Sequence, residues 1–336
     1  MSSWEMMPNY LKEIADKGNL NSARETIAAS KEKLLQLGCT EHEIILIKSM
    51  AEKLFAEQQK LSTAQDMLRH QSAKWSRISF GCAALDRCTG GGIVTRGITE
   101  FCGGAGVGKT QLLLQLSIMV QIPPAMGGLG KGVAFICTED LFPSKRMFEL
   151  AKSFQQRYPN LSINYLGNIH VECVFESEDL LKCVSERLNT LLATRDIGLI
   201  VIDSVAAIYR LQDDYVTRAN EMRKLANALL GYADKYHCAI ICVNQVSSVN
   251  SKTPTKRCPK DTVMLGQKGS KDNIPCLGLA WAHLGRTRIN ISKLPKQINI
   301  HGKLITIRRL EILYSPDTPN EFAEFVITKH GVVDVL

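Results

Sequence analysis

Several common features are missing from this chain. Its amino terminus, MSSWEMMPNYLKEIADKG, has no basic-then-apolar leader pattern, and no apolar stretch approaches the roughly 18 residues that a membrane-spanning helix needs. A membrane partner is therefore not expected. The 11 cysteines form no C-x-x-C pair, and Cys137, Cys238 and Cys242 sit inside apolar runs, where a thiol acts as a small hydrophobe. Both features suit a reduced compartment, nucleus or cytosol. Cys238 and Cys242 follow His237, but HCAIICVNQ alternates as a strand does, which favours a buried strand over a metal site. There is also no internal repeat.

What the chain does contain is material for an ordinary core: 336 residues, 45% hydrophobic and 22% charged, with a formal net charge of +8. That surplus permits a polyanionic partner without requiring one, so its location matters. Residues 1–60 read as a small helical domain with nearly balanced charge. ARETIAASKEKLLQLG carries Ile27, Leu34, Leu35 and Leu37 in a helical stripe stopped by Gly38, and Thr40 with Glu43 has capping-box spacing ahead of a second helix. A polar linker, 61–77, follows.

From 78 to 336 short apolar runs alternate with helical stretches. GITEFCGG, GVAFICTED, IGLIVIDSVAA and HCAIICVNQ read as buried strands, separated by segments such as KTQLLLQLSIMVQ, SEDLLKCVSERLNTLLA and TRANEMRKLANALLGYADKY. The pattern predicts an α/β domain with a central, mostly parallel sheet flanked by helices on both faces. RTRINISK, KLITIRRLEILYS and EFAEFVITKHGVVDV, with no helix between them, predict three antiparallel strands extending that sheet.

FCGGAGVGKTQLLLQL, between a predicted strand and a predicted helix, has Gly103, four residues, then Gly108, Lys109 and Thr110. This is the phosphate-loop spacing in the context it requires. Glycines let backbone N–H groups close on phosphates, Lys109 reaches the β- and γ-phosphates, and Thr110 offers a hydroxyl to Mg²⁺. The loop Gly103, Gly104, Ala105, Gly106, Val107, Gly108 with Lys109, Thr110 and Gln111 is thus the candidate ATP site. Asp203, ending the apolar run GLIVIDS, is the second magnesium contact; the bland alternative is a helix-capping aspartate. Glu139 ends VAFICTED as the candidate hydrolytic base, with Asp140 competing, and Asn244 and Gln245 end IICVNQ as γ-phosphate sensors.

The charge sits in the next segment. From Val246 to Pro275, Lys252, Lys256, Arg257, Lys260, Lys268 and Lys271 face two acids, Asp261 and Asp272, half the net charge in one long loop. Basic residues without aromatics suit a phosphate backbone more than base reading, so sequence-nonspecific nucleic acid is the sharp expectation. A solvated loop or a nuclear-import patch is the bland one.

Together RISFGCAALDRCTGGGIVTRGITEFCGGAGVGKTQ, FICTEDLFPSKRM, LIVIDSVAAIYR and ICVNQV resemble the RecA-type recombinases, and among them the eukaryotic recombinase paralogues, from about Leu61 to the carboxyl end. The resemblance implies a RecA-like ATPase core. It makes Arg146 the residue that stacks on adenine, puts Arg210 and Arg218 in a first DNA-binding loop and makes the basic segment the second. It places Pro316 and Asp317 of YSPDTP over a neighbouring protomer's nucleotide, and it makes LSTA, with Leu61 and Ala64, the assembly motif. Leucine stands there in place of an aromatic residue, whose ring buries about 150–250 Å². That departure favours a selective partner over long self-filaments. Gly18 and Gly38 do not reproduce the family's DNA-gripping hairpin, so the first domain is assigned to protein contacts.

The implied activity is a slow, DNA-dependent ATPase of homologous recombination, using ATP and Mg²⁺ and acting on single-stranded DNA. Its partners would be other recombinase paralogues, in a hetero-oligomer, and the main recombinase, in the nucleus. Three alternatives stay open: a self-sufficient strand-exchange recombinase, a meiotic one included; a small-molecule P-loop kinase; and an ATP-binding scaffold.

Overall fold

A computed structural model describes residues 18, 20, 23–58, 63–65, 75–209, 214–248, 273–275, 277, 281–300 and 302–335. The chain divides into two compact units, Met1–Ser72 and Ala73–Leu336.

In the first unit lie α1 (Ala23–Ala28), α2 (Lys31–Gln36) and α3 (Glu41–Gln58). The single helix expected across Ala23–Leu37 is two. Ser30 breaks it, its Oγ accepting the Lys33 N–H at 3.1 Å as an N-cap, because a serine side chain competes with the helical ladder for that donor. Gly38, at φ +91°, ends α2. The capping box forms as its spacing predicts: Thr40 N–H donates to Glu43 Oε2 at 2.8 Å and Glu43 N–H to Thr40 Oγ1 at 3.3 Å. Leu34, Ile44 and Ile47 fill this unit's own core.

The second unit runs β1 (Arg77–Ile78), α4 (Ala83–Cys88), β2 (Ile93–Val94), β3 (Ile98–Gly103), α5 (Lys109–Met119), β4 (Gly132–Cys137) and α6 (Ser144–Arg157). It continues with β5 (Ile169–Cys173), α7 (Ser177–Lys182), a π-helical turn (Cys183–Leu188), α8 (Asn189–Thr194), β6 (Ile197–Asp203), α9 (Val205–Tyr209) and α10 (Tyr215–Tyr236). The remaining strands are β7 (Ala239–Ser248), β8 (Asn273–Pro275), β9 (Thr287–Ile300), β10 (Lys303–Tyr314), β11 (Phe322–Thr328) and β12 (Gly331–Asp334).

The main sheet has the order β12-β11-β10-β9-β3-β7-β6-β4-β5. Strands β9, β3, β7, β6, β4 and β5 are mutually parallel, and β10, β11 and β12 add antiparallel. The expected α/β class is therefore the observed one. Period-two alternation explains why the central strands read as unbroken apolar runs: Leu199 and Val201 of β6 enter the core under α5 and α6, while Ile200 and Ile202 enter the one under the π-turn and α10. Cys238 and Cys242 both lie fully buried in this second core, as the strand reading expects.

Two expectations change. The last apolar run is two strands, because Gly331 at φ +115° turns the chain and β12 pairs back on β11. The basic segment begins as sheet: β7 continues past Gln245, and Val246, Ser247 and Ser248 pair with Pro275, Ile274 and Asn273 of β8. Ladder hydrogen bonds thus close the two ends of that segment into a stem. No described helix is long and apolar enough to cross a membrane.

Candidate active site

The parallel strands present their carboxyl ends on one edge, and register decides what gathers there. Gly103 pairs with Gln245, and Cys137 pairs with Asp203, so Glu139 lies just beyond the latter pair. Thr138 then locks β4 to β6. Its N–H donates to Asp203 O at 3.0 Å, its hydroxyl donates to Ser204 O at 2.5 Å, and Ser204 N–H donates back to it at 2.7 Å. These bonds fix the two acidic side chains relative to each other.

The phosphate loop spans the gap from β3 to α5. Gly106 and Gly108 adopt φ +67° and +111°, conformations that cost an ordinary L-residue energy, and a Cβ on Gly103 would stand 2.3 Å from Ile291 O. Lys109 is buried across the loop, its Nζ donating to Gly103 O and Gly104 O at 2.8 Å each. Thr110 Oγ1 donates to Asp203 Oδ2 at 2.8 Å. Gln245 Nε2 donates to Glu139 Oε2 at 2.5 Å. The structure thus brings Lys109, Thr110, Asp203, Glu139 and Gln245 to one edge.

The electrostatics of this edge suit an anion held through a cation. Burial lowers the proton affinity of Lys109, opposed by Asp203. Burial also pushes the Asp203 carboxyl above its ordinary range, opposed by the Thr110 hydrogen bond and the Lys109 charge and reinforced by Glu139. A hydroxyl and a desolvated carboxylate side by side are hard oxygen donors of the kind that bind Mg²⁺ together with substrate phosphates. The loop fits the phosphates themselves, because Gly103, Gly104, Gly106 and Gly108 bring no Cβ to their backbone N–H groups.

Arg146, on α6, reaches the amino end of α5 and the β11–β12 turn. It donates to Gln111 Oε1 at 2.8 Å, Thr328 O at 2.7 Å and Lys329 O at 2.9 Å, so it stands beside the loop on a fixed stem. Pro316 is exposed, and Asp317 pairs with Arg286 of its own chain at 2.8 Å. Arg218 lies in the first turns of α10, its guanidinium 5.5 Å from the ring of Tyr215, an exposed aromatic that the sequence reading did not single out. Ala64 is exposed in the first unit. Leu61, Arg210, Lys252, Lys256, Arg257, Lys260, Lys268 and Lys271 lie outside the described residues.

A buried network beneath the loop was not expected from sequence. Glu100 on β3 is fully buried and accepts from Arg288 Nε at 2.6 Å and from Asn244 Nδ2 at 2.7 Å. Burial works against the Arg288 charge, but Glu100 beside it prevails and holds the guanidinium more firmly protonated than usual. Asn244 therefore anchors the middle of β7 to β3, one residue before Gln245, rather than facing a γ-phosphate as expected; a buried carboxylate leaves its amide no freer choice. Alternation in β3 hides such a residue, because Glu100 sits amid an otherwise apolar run.

Comparison with known proteins gives a consistent neighbourhood. The Rad51 family profile matches residues 71–335. The chain is 32% identical over 283 residues to the DNA repair protein XRCC3 of Bos taurus, covering 80% of this chain and 79% of that protein. It is 29% identical over 332 residues to XRCC3 of Mus musculus, covering 94% and 93%. Similarity to the DNA repair protein rhp57 of Schizosaccharomyces pombe runs over 360 residues at 29% identity, covering 96% of this chain and 98% of that protein.

Proposed function

The chain belongs to the Rad51 family, and from that premise we propose that it is a recombinase paralogue of DNA repair and homologous recombination, an ATPase whose nucleotide state sets its grip on single-stranded DNA. The observation that carries the reading is the joining of Lys109, Thr110–Asp203 and Glu139–Gln245 at one sheet edge. Proteins named for DNA repair lie at about 30% identity over most of the chain, which supports the same role.

In this reading Lys109 exchanges its two loop carbonyls for phosphate oxygens. Thr110 and Asp203 would hold Mg²⁺, which when bound would neutralise phosphate charge. Glu139 orients and deprotonates water for attack on the γ-phosphate. Gln245, bonded to Glu139, stands at the root of the β7–β8 stem, so any change in its partner is passed directly into the ladder that carries the basic segment. That segment, with Arg210 and Arg218, contacts the DNA backbone. A switch of this kind has no need of fast turnover. Other paralogues and the main recombinase are its protein partners, reached through the helical unit, Leu61–Ala64 and the Pro316–Asp317 turn, in the nucleus.

ATP turnover in the presence and absence of a single-stranded oligonucleotide tests the reading. Stimulation by the strand is the expected result. Phosphate transfer to a small-molecule acceptor, with no response to DNA, would place the chain among P-loop kinases instead.

A further inference from the structure

Two cations meet the phosphate loop from strands far along the chain. Arg308 on β10 and Lys293 on β9 stand opposite each other in the β9–β10 register. Arg308 Nε donates to Val107 O at 3.0 Å, and its Nη1 donates to Thr306 O at 3.1 Å. A Cβ on Gly108 would lie 3.3 Å from both Cδ and Nε of Arg308, so the side chain stands close against the residue that caps α5. Lys293 Nζ comes within 3.6 Å of where a Gly106 Cβ would be.

This placement is electrostatically unfavourable for the protein alone. The amino end of a helix already carries about half a positive charge, and buried Lys109 adds a full one. Among the described residues, neither Arg308 nor Lys293 forms an ion pair with a carboxylate. Burial adds a desolvation cost that weakens Arg308's hold on its proton. Elsewhere the same sheet satisfies its buried arginine with an acid, as Glu100 does for Arg288. Uncompensated cations around an anion-binding loop are accounted for by an anion the loop receives. The geometry also gives Arg308 a second task. By accepting from Arg308 at 3.0 Å, the Val107 carbonyl is tied to β10, which restrains the loop at the residue before Gly108.

We propose that Arg308, assisted by Lys293 across the ribbon, is a nucleotide-positioning residue: it fixes the phosphate loop through Val107 and offsets the charge of the bound polyphosphate. The proposal rests on reading the loop as the ATP site. Arginine suits the role better than lysine, because one face of its planar fork grips a carbonyl while other N–H groups stay directed elsewhere.

The test uses the full chain and equilibrium binding of fluorescent ATP and ADP analogues, with melting temperature measured without nucleotide. Arg308→Gln should weaken both analogues roughly ten- to hundredfold, the worth of one or two hydrogen bonds involving a charged group. The nucleotide-free melting temperature should stay near wild type. Arg308→Lys should recover part of the affinity, and Lys293→Gln should lose about threefold, the size expected of an exposed charge near the ligand. Should Arg308→Gln fold poorly, Arg308→Lys decides the matter: normal melting with weakened nucleotide binding supports the proposal, and normal binding overturns it. Unchanged nucleotide affinity in Arg308→Gln, or a loss confined to oligonucleotide binding, also overturns it while the ATP reading stands. A wild-type chain that binds neither analogue would defeat the ATP reading itself.

Discussion

Replacing Lys109 by alanine is expected to remove ATP binding: affinity should fall by at least about a hundredfold, the sum of two hydrogen bonds to a charged donor. Lys109 is buried at the root of α5 and donates to Gly103 O and Gly104 O. Those carbonyls hold a charge that burial disfavours, and a triphosphate offers the same donors a far stronger acceptor. In the alanine variant the phosphate loop keeps its glycines and its helix amino terminus, so weak anion binding survives. The nucleotide-free fold should also survive, since the lysine's two bonds only tie the start of α5 back to the end of β3 and the next loop residue, elements the sheet and core already hold together. Calorimetric titration with ATP–Mg²⁺ and with ADP–Mg²⁺ reads the loss directly. Affinity within about threefold of wild type would refute the assignment of this loop.

Glu139→Gln is expected to separate binding from hydrolysis. Turnover should drop by roughly 10²- to 10⁴-fold, the usual contribution of a general base, with ATP affinity nearly unchanged. Glu139 is exposed just beyond β4 and accepts from Gln245 at 2.5 Å, so it meets solvent on one side and the Gln245 amide on the other. An amide keeps the shape and can still bond Gln245 after rotating, but it cannot take a proton from water. The variant should therefore load ATP and hold it. Asp140, its sequence neighbour, is the control: Asp140→Asn should hydrolyse at close to the wild-type rate. The reverse pattern would move the base by one residue.

The candidate site was legible because its information is local. A glycine-rich loop between a strand and a helix, an aspartate ending one apolar run and a glutamate ending another announce themselves within a few residues, and parallel pairing then brings the strand ends together. Glu100–Arg288, 188 positions apart, and Arg308–Val107, 201 apart, have no such signature. Only the order of strands across the sheet makes them neighbours. The edge strand β5 carries little sequence signal for a related reason. Its residues, Ile169–Cys173, alternate with only partial burial, so IHVEC lacks the apolar run that marks the central strands. Two further features are written in local turn chemistry. Ser30 is an ordinary N-cap inside a helical stripe, and Lys329–His330–Gly331 is a turn inside an apparent strand. The extension of β7 to Ser248 was masked by polar residues, Ser247 and Ser248, whose ladder partners lie across a basic segment in sequence.

The central claim couples the nucleotide edge to DNA, and it is tested most directly by binding of a fluorescent single-stranded oligonucleotide across a salt series. The comparison runs with ATP–Mg²⁺ and without nucleotide, in wild type and in a variant with Lys252, Lys256, Arg257, Lys260, Lys268 and Lys271 neutralised. Six phosphate contacts would give a slope of log affinity against log salt of roughly −4 on a single strand. The account predicts tight binding with ATP, weaker binding without it, and a flattened slope in the variant. Equal binding in all four cases, or none, would contradict it.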